Sequence, residues 1–379
     1  MKILFLENLP YQSHITVGSH HYARLFAKEH QILWLSLPWH IAQVIRDRKS
    51  DRIRNWNLNR VSLDENGVNY LTPFTFFPYR NNPVLRNEWF CHHQYSFIPG
   101  IRAILRRMNF GRPDLAWFSD PRHISILSMI QPKKIAYRCV DNLEEFSDVP
   151  RSLLAIEKEL VRKSDAVFFT ASLLKEKFSG LNPNSFHLPN GCDFEFFSNP
   201  EAPRRHSELF LRDKLNLLYT GAIAQWMDFE ALERVAELDF VNLIMVGPLR
   251  TSIPESLKKR SNVTFTGPLP YGDMPGLVQQ ADAGFIPFLI NKVTDYVDPI
   301  KLHEYCAGGL PCITSSFRTV ANMTGAFYKY RDYEELCMLL RALKENRSFR
   351  YTKEEIQNFA MQNSWASRSR FVKEKLHLM

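Results

Sequence analysis

Hydrophobic residues recur along this chain in short runs that alternate with segments of helical spacing. The first run, Lys2 to Leu6, predicts a buried strand, and Gly18 to Ala27 has apolar residues at the spacing of an amphipathic helix. Gln31 to Leu37 is again a short apolar run. A buried strand, a helix and a second buried strand in this order indicate an α/β protein with a doubly wound parallel sheet.

The same alternation returns after residue 112 and continues almost to the end of the chain. Between residues 70 and 100 an aromatic-rich stretch has weak periodicity, and the pattern there does not separate core strand from loop. The further strands are predicted at 113–119, 134–140, 166–170, 186–188, 215–220, 241–246, 263–266, 283–287 and 310–314. The further helices are predicted at 124–130, 153–163, 172–178, 229–237, 274–280, 301–307, 333–344 and 353–376.

A polar segment with two prolines, residues 199–213, separates two α/β units. A length of 379 residues allows two ordinary domains. We therefore predict an N-terminal domain over residues 1–198 and a C-terminal domain over residues 199–355. The last segment, residues 356–379, is predicted to be helical and to pack back toward the N-terminal domain.

Three predicted strands of the second unit end in glycine, at Gly221, Gly247 and Gly267. Ligands of open α/β sheets bind at the carboxyl ends of the strands, where glycine lets them approach the backbone. Ordinary turn chemistry explains each glycine singly, but it explains the set less well. The sequence therefore predicts a ligand site at this edge of the second sheet.

The segment from Asp298 to Pro311 predicts a helix with an anion site at its start. Asp298 has the side chain of an N-cap, and Pro299 suits the first helical position. Lys301 and Glu304 are three residues apart and share one helix face. A helix N-terminus that carries a lysine suits a phosphate group, and a carboxylate one turn later suits the hydroxyls of a ribose. The alternative is an ordinary capped helix with a solvated pair of charges.

The formal net charge is +8, and most of the excess lies in residues 1–200, which hold 25 Lys and Arg against 19 Asp and Glu. Basic residues cluster at 46–60 and again at Arg102, Arg106 and Arg107, beside apolar residues with helical spacing. Such a face suits an anionic membrane surface or a phosphorylated partner, and a plain solvated face remains the alternative. No nucleic-acid recognition motif accompanies the charge, so nucleic acid is not an expected partner.

Cysteines and apolar runs limit the class of protein further. The six cysteines have neither CxxC nor His/Cys metal spacing, so we expect reduced thiols of a cytoplasmic protein and no metal site. The apolar start of the chain is too short for a signal peptide, and no run approaches the ~20 residues that span a bilayer. We expect a protein that is soluble or sits on a membrane surface.

Four motifs in order carry a resemblance to glycosyltransferases of the GT-B fold, near family 4. These motifs are Pro189-Asn190-Gly191-Cys192-Asp193, Asn262 to Gly267, Ala281 to Gly284, and Val297 to Thr314. The resemblance extends over nearly the full chain and includes bacterial enzymes of exopolysaccharide and teichuronic-acid assembly. It implies two Rossmann-like domains facing a cleft. The implied activity is metal-independent, cofactor-free hexosyl transfer from a nucleotide-sugar, with a UDP-sugar as the expected donor. A glycan or lipid-linked acceptor in cell-surface polysaccharide synthesis is implied, at the inner face of the plasma membrane.

The chain departs from the family pattern at two places. The family usually carries two glutamates eight positions apart, but Tyr296 stands where the first would precede Glu304. The Arg and Lys of the family's loop after the first C-domain strand are also missing from residues 221–228. Phosphate binding would then fall to Lys301, the helix N-terminus and loop amides. The stereochemical outcome, retaining or inverting, stays open, because an inverting glucuronosyltransferase of xanthan assembly is also similar.

The resemblance implies roles for individual residues. Lys301 would stabilise the departing diphosphate, and Asp141 would be the base, although Asp141 is nearly as good a helix cap. Asp120 is a second choice for the base and also resembles a cap. The implied donor-binding residues are Gly221, Ala222, Trp226, Gly247, Pro248, Asp298, Pro299, Ile300, Lys301 and Glu304. Gly18, His20, His21 and Asp120 are implied on the acceptor side, where residues 70–100 would supply either core or an acceptor loop.

Two other functions fit parts of the same pattern. A UDP-sugar epimerase shares the architecture but needs more carboxylates and histidines in the cleft than the chain offers. A non-catalytic binding or scaffold protein is favoured by Tyr296 and the missing Arg/Lys pair, and disfavoured by the presence of Lys301 and Glu304.

Overall fold

The fold is given by a computed structural model of the chain. The structure describes residues 1–13, 16–41, 45, 60–76, 98, 100–145, 149, 151–346 and 350–378. Most of the aromatic stretch at 70–100 and most of the basic cluster at 46–60 lie outside the described residues. The chain divides into two compact units, Met1–Leu188 with Ser369–Met379, and Pro189–Arg368.

The first unit is built on an eight-stranded sheet with strand order β10-β9-β8-β7-β1-β2-β5-β4. All neighbours are parallel except β4 and β5. Its strands are β1 (Lys2–Glu7), β2 (Gln31–Ser36), β3 (Trp39–His40), β4 (Ser62–Leu63), β5 (Val68–Leu71), β6 (Phe74–Thr75), β7 (Leu115–Phe118), β8 (Lys134–Cys139), β9 (Ala166–Phe169) and β10 (Ser185–His187). Its helices are α1 (Gly18–Ala27), α2 (Ile101–Arg107), α3 (Leu127–Ile130), α4 (Arg151–Lys163) and α5 (Ser172–Lys177).

Aromatic side chains fill the core of the first unit. Phe5 on β1 packs against Trp34 at 6.1 Å and Trp117 at 5.8 Å between ring centroids, and Trp117 stacks on Phe168 at 5.7 Å. All four rings are fully buried. Full burial on both faces is why these strands appear in the sequence as continuous apolar runs rather than alternating ones.

The second unit is built on a six-stranded parallel sheet with strand order β13-β12-β11-β14-β15-β16. Its strands are β11 (Leu215–Thr220), β12 (Val241–Val246), β13 (Val263–Gly267), β14 (Ala283–Ile286), β15 (Cys312–Ser315) and β16 (Tyr328–Tyr330). Its helices are α6 (Phe194–Ser198), α7 (Phe229–Ala236), α8 (Glu255–Lys258), α9 (Met274–Gln280), α10 (Ile300–Ala307), α11 (Arg318–Ala321), α12 (Tyr333–Asn346) and α13 (Lys353–Gln362). A last helix, α14 (Trp365–Leu376), begins in this unit and ends in the first.

The strand order of the second unit reverses between β11 and β14. The chain runs outward from β11 through β12 to β13 and then returns to β14 on the other side of β11. Pairing between β11 and β14 ends at Leu218 and Gly284, so the two strands separate beyond that point. A crevice at such a reversal is where open α/β sheets bind their ligands.

The predicted α/β architecture with two parallel sheets is confirmed. The predicted helix over 353–376 is wrong in one respect, because it is broken into α13 and α14 at Asn363 and Ser364. The Trp365 N–H donates to the carbonyl of Cys192 instead of continuing the helix. A Cβ at Gly191 would lie 2.8 Å from the Asn363 carbonyl oxygen, so glycine allows this close contact.

The chain passes from the first unit to the second at Leu188, upstream of the domain boundary expected at residue 198. The reason is that the segment after Pro189 is bonded within the second unit. The backbone N–H of Asn190 donates to the Asp298 carboxylate, and its side-chain amide donates to the Asp298 carbonyl at 2.8 Å. None of the helices among the described residues is long and apolar enough to cross a bilayer.

Candidate functional site

Two glycines shape the carboxyl ends of β11 and β12. Gly221 has φ 139° and Gly247 has φ 142°, values that side chains rarely adopt. A Cβ at Gly247 would lie 2.0 Å from the Gly221 carbonyl oxygen, so the two strand ends pack backbone against backbone. Packing therefore requires glycine at Gly247, whereas a Cβ at the third strand-end glycine, Gly267, would meet nothing within 4 Å and only its φ of 73° favours glycine.

The Gly221 amide already has a partner, although loop amides here are expected to bind phosphate. Its N–H donates to the Val246 carbonyl at 2.8 Å and is occupied within the sheet. What Gly221 provides is space, because a Cβ there would lie 3.1 Å from Cε and 3.5 Å from Nζ of Lys301. The neighbouring Ala222 carbonyl accepts a 2.8 Å hydrogen bond from Tyr219, and the Pro248 carbonyl accepts one from the Ile223 N–H at 3.0 Å.

Lys301 brings a positive charge to the end of β11. It lies in the first turn of α10, and its Nζ is 5.4 Å from the ring centroid of Tyr219 and 5.1 Å from that of Phe288. Both rings are buried, and such aromatic faces attract a cation. Burial lowers the pKa of Lys301, and the nearby Glu304 carboxylate opposes that effect. Trp226 lies near the same place, where its side chain opposes the rise that burial causes in the pKa of Tyr219.

Glu304 lies one turn further along α10 and is half-buried. The Tyr271 hydroxyl donates to its Oε1 at 3.3 Å, and the Tyr271 ring stacks on Phe196 at 5.2 Å. Burial raises the pKa of Glu304 to about 7, against the opposing effect of Lys301. Tyr271 was not predicted from the sequence, because it lies 33 residues before Glu304.

The predicted N-cap role of Asp298 is wrong. The N-cap of α10 is Pro299, which makes no side-chain capping bond, and the helix begins at Ile300. The Asp298 carboxylate instead accepts from the Asn190 N–H and lies 3.4 Å from Nε2 of the buried His303. Burial alone would raise the pKa of Asp298, but His303 and Asn190 outweigh it and lower that pKa. Asp298 therefore anchors the start of α10.

Three of the residues predicted on the acceptor side, Gly18, His20 and His21, lie in α1. Gly18 is the first residue of α1, as predicted, but His20 is buried and both of its ring nitrogens are occupied. Its Nδ1 accepts from the Val17 N–H and its Nε2 lies 3.1 Å from the Tyr11 carbonyl, which leaves no ring nitrogen for a ligand. Burial lowers the pKa of His20 to about 4 and that of His21 to about 3, so both imidazoles are neutral near pH 7.

The two candidate bases lie at the ends of β7 and β8. Asp120 is buried, accepts from the Arg122 N–H at 2.8 Å and pairs with the Arg122 guanidinium, so it is the cap that the sequence indicated. Burial alone would raise the pKa of Asp120, but Arg122 lowers it. Asp141 follows β8 and is an exposed residue. Desolvation of its carboxyl raises the pKa of Asp141, and the Arg138 charge opposes this rise. The short 3-10 helix beyond it begins after Asn142, whose carbonyl accepts from the Glu145 N–H.

A buried carboxyl at the end of β1 was not predicted. Oε1 of Glu7 accepts a 2.7 Å hydrogen bond from the Ser119 hydroxyl, which is itself 2.9 Å from the Ser19 hydroxyl. His123 contacts the Glu7 carbonyl at 2.9 Å. Burial raises the pKa of Glu7 to about 8, so its carboxyl is mostly protonated at pH 7. Among the described residues, no group of three or more His, Cys, Asp or Glu is arranged to hold a metal ion.

Two sequence comparisons relate the chain to known proteins. Residues 215–346 match the sequence family described as glycosyl transferases group 1. TuaH of Bacillus subtilis strain 168, whose name describes a glycosyltransferase of teichuronic acid biosynthesis, is 24% identical over 274 residues, which are 66% of this chain and 68% of TuaH.

Solved structures share the whole fold. The chain is similar to Anabaena HepE in complex with UDP and glucose, with a TM-score of 0.70, 14% identity and 100% of both chains covered. It is also similar to sucrose-phosphate synthase from Thermosynechococcus elongatus, with a TM-score of 0.72, 14% identity, and 100% of this chain and 99% of that one covered. The chain therefore has the GT-B fold, and its residues 215–346 are similar to the glycosyl transferases group 1 family.

Proposed function

We propose that this protein transfers a sugar from a nucleotide-sugar, with a UDP-sugar as the expected donor, to a hydroxyl of a glycan or lipid-linked acceptor in cell-surface polysaccharide synthesis. The observation that carries the proposal is the Lys301 ammonium group beside Gly221 at the reversal of the second sheet. In this transfer the bond between the anomeric carbon and the phosphate oxygen breaks, and the diphosphate leaves with the electron pair. A fixed positive charge beside that oxygen lowers the barrier.

The proposed roles on the donor side follow from position on α10. Lys301 and the first turn of the helix, which has no side-chain cap, would hold the diphosphate. Glu304 would accept hydrogen bonds from the ribose hydroxyls, one turn further along. Gly247 and Pro248 would border the nucleobase of the donor. The UDP complexes of HepE and the name of TuaH support a UDP-sugar donor and a cell-surface product, respectively.

The proposed base is Asp141 in the first unit, which would take the proton of the acceptor hydroxyl if the reaction inverts the anomeric centre. Its raised pKa suits a proton acceptor. Gly18 at the start of α1 and the neighbouring His21 would border the acceptor.

The transfer is proposed to need neither a metal ion nor a cofactor, and the activity should therefore persist in EDTA. Comparing the anomeric configuration of donor and product decides between inversion and retention.

The donor site is tested by calorimetric titration with UDP, GDP, ADP and dTDP. We expect one nucleotide, UDP, to bind, and we expect Lys301→Ala to weaken this binding. Lys258→Ala is the matched control, because Lys258 is an exposed lysine of the same unit that pairs with Glu255. If no nucleotide binds the wild type, the donor site is refuted and a scaffold role becomes the better explanation.

The proposed location is the cytoplasmic face of the plasma membrane, reached through α2. Its apolar residues Ile101, Ile104 and Leu105 are buried in the first unit, whereas Arg102, Arg106 and Arg107 are exposed. The contact with lipid would therefore be electrostatic rather than an insertion. Sedimentation with anionic vesicles should be lost in the triple variant Arg102→Glu, Arg106→Glu and Arg107→Glu. Equal sedimentation of wild type and variant would refute the membrane contact.

A further inference from the structure

Tyr305 of α10 reaches the same strand end as Lys301. The two residues are four positions apart and lie on one face of the helix. The Tyr305 hydroxyl accepts a 2.7 Å hydrogen bond from the Thr220 backbone N–H and lies 3.1 Å from the Thr220 hydroxyl. Thr220 is the last residue of β11 and directly precedes Gly221. One helix face therefore contacts two consecutive residues at the end of this strand.

The tyrosine fills the gap that opens where the sheet reverses. Thr220 lies beyond the last residue of β11 that pairs with β14, so its N–H has no partner on that strand. The ring of Tyr305 is fully buried and lies directly over β14, since a Cβ at Gly284 would be 2.2 Å from Cδ2 of Tyr305. Gly284 therefore makes room for the ring, and the hydroxyl supplies the hydrogen bond that the sheet does not.

We infer that Tyr305 is a positioning residue for the donor diphosphate, an inference that rests on the proposed function. By binding Thr220, it fixes the distance between α10 and the end of β11. This distance sets where Gly221 lies relative to the Lys301 side chain, which packs against it. Loss of the hydroxyl would leave the Thr220 N–H without its partner and let α10 shift, so that Lys301 no longer faces the diphosphate in one fixed geometry.

Tyr305→Phe tests this inference because it removes only the hydroxyl. We expect the Kd for UDP, measured by calorimetry well below the unfolding temperature, to rise about 5- to 20-fold. Tyr330→Phe is the matched control, since Tyr330 is a buried tyrosine of the same sheet and lies on β16, with β14 and β15 between it and β11. Its UDP affinity should equal that of the wild type. Equal UDP affinity of Tyr305→Phe and wild type would overturn the inference.

A double variant separates positioning from a purely structural role. If Tyr305 acts through Lys301, the Kd of Lys301→Ala combined with Tyr305→Phe should equal that of Lys301→Ala alone. Independent effects that multiply would overturn the inference, because a general loss of structure weakens both backgrounds equally. If Tyr305→Phe does not fold, Thr220→Val is the substitute, because it removes the other hydroxyl and keeps the backbone N–H. We expect its Kd for UDP to rise 2- to 3-fold. An unchanged Kd would overturn the inference.

The outcome also separates this inference from the proposed function. A wild-type protein that binds no nucleoside diphosphate overturns both. A wild-type protein that binds UDP and loses affinity in Lys301→Ala, but not in Tyr305→Phe, supports the donor site and overturns the role of Tyr305 alone.

Discussion

The strands of each unit end at the carboxyl edge of their own sheet, but the charged and polar groups at the two edges have different partners. At the end of β11 a lysine lies against aromatic rings and a glycine, and its ammonium group faces no carboxylate within salt-bridge distance in the part of the second unit that the structure describes. At the ends of β1 and β7, Glu7, Ser119 and Ser19 bond to one another, and Asp120 pairs with Arg122. The first arrangement leaves a charge for a ligand, whereas in the second the polar groups are bonded within the protein.

This difference separates the polar residues that stabilise the fold from those that can bind a ligand. A polar group whose partners come from its own unit, as those of His20 and Asp120 do, stabilises the fold. A charged group that is held mainly by packing, as Lys301 is, has hydrogen-bonding capacity left for a substrate.

The largest expected effect is that of Asp141→Asn on turnover. If Asp141 is the base, kcat should fall roughly 100- to 10,000-fold while UDP affinity stays unchanged. The measurement is UDP release from the bound UDP-sugar in the presence of acceptor. Asp120→Asn is the contrast, since loss of a cap should lower the unfolding temperature and leave kcat within a few-fold of wild type. An Asp141→Asn protein with wild-type kcat would show that Asp141 is not the base.

Lys301→Ala should weaken UDP binding roughly 10- to 100-fold, because hydrogen bonds to charged groups contribute about 1.5–3 kcal/mol. Calorimetric titration at low and high salt measures this loss, and most of the salt dependence should disappear with the lysine. An unchanged Kd would mean that the positive charge at the end of β11 is structural, like the charges of the first unit.

Glu304→Gln should weaken binding of a UDP-sugar about 5- to 10-fold, since a neutral amide accepts hydroxyl hydrogen bonds less strongly than a carboxylate. The pKa of Glu304 is raised to about 7, so the wild-type carboxyl ionises as the pH rises through 7. Affinity of the wild type should therefore increase between pH 6 and pH 8. A Glu304→Gln protein with the same increase would show that another group is responsible.

The smallest effect on activity is expected for Glu7→Gln, because Glu7 affects stability alone. The pKa of Glu7 is raised from 4.5 to about 8, so its burial contributes stability that is complete below pH 4.5 and is lost as the pH rises through 8. Between pH 4.5 and 8 the free energy of unfolding of the wild type should fall by ~1.4 kcal/mol per pH unit relative to that of Glu7→Gln. Thermal unfolding across pH 5–9 measures the difference, with the exposed Glu65→Gln as control. A difference that does not change with pH would mean that Glu7 is ionised in the folded protein.

The sequence predicted what depends on local pattern and missed what depends on distant contacts. Strands β11 and β12 and helices α1 and α9 lie where the apolar pattern placed them, and the strand-end glycines were identified from their position. Asp298 was misjudged because Asp-Pro is a local capping signal, whereas its partner Asn190 is 108 residues away. Tyr271 was missed for the same reason, since no local signal connects it to Glu304.

His20 shows a second limit of the sequence pattern. The helix that carries it was predicted correctly, and the helical spacing could not distinguish a face that packs on the core from one that faces a ligand. Its burial depends on Tyr11 and on Trp34, whose ring lies 4.4 Å from that of His20. Both belong to other segments of the first unit, so only the three-dimensional structure reveals the role.

The backbone contact between Gly221 and Gly247 has a consequence for enzyme engineering. A library that varies Gly247 would consist mainly of misfolded proteins, because any side chain there must occupy the place of the Gly221 carbonyl oxygen. Altered donor preference must therefore be sought in side chains that border α10 without supporting the strand ends. Such a search should begin at Tyr271, which is 42% exposed and donates a hydrogen bond from its hydroxyl to Glu304.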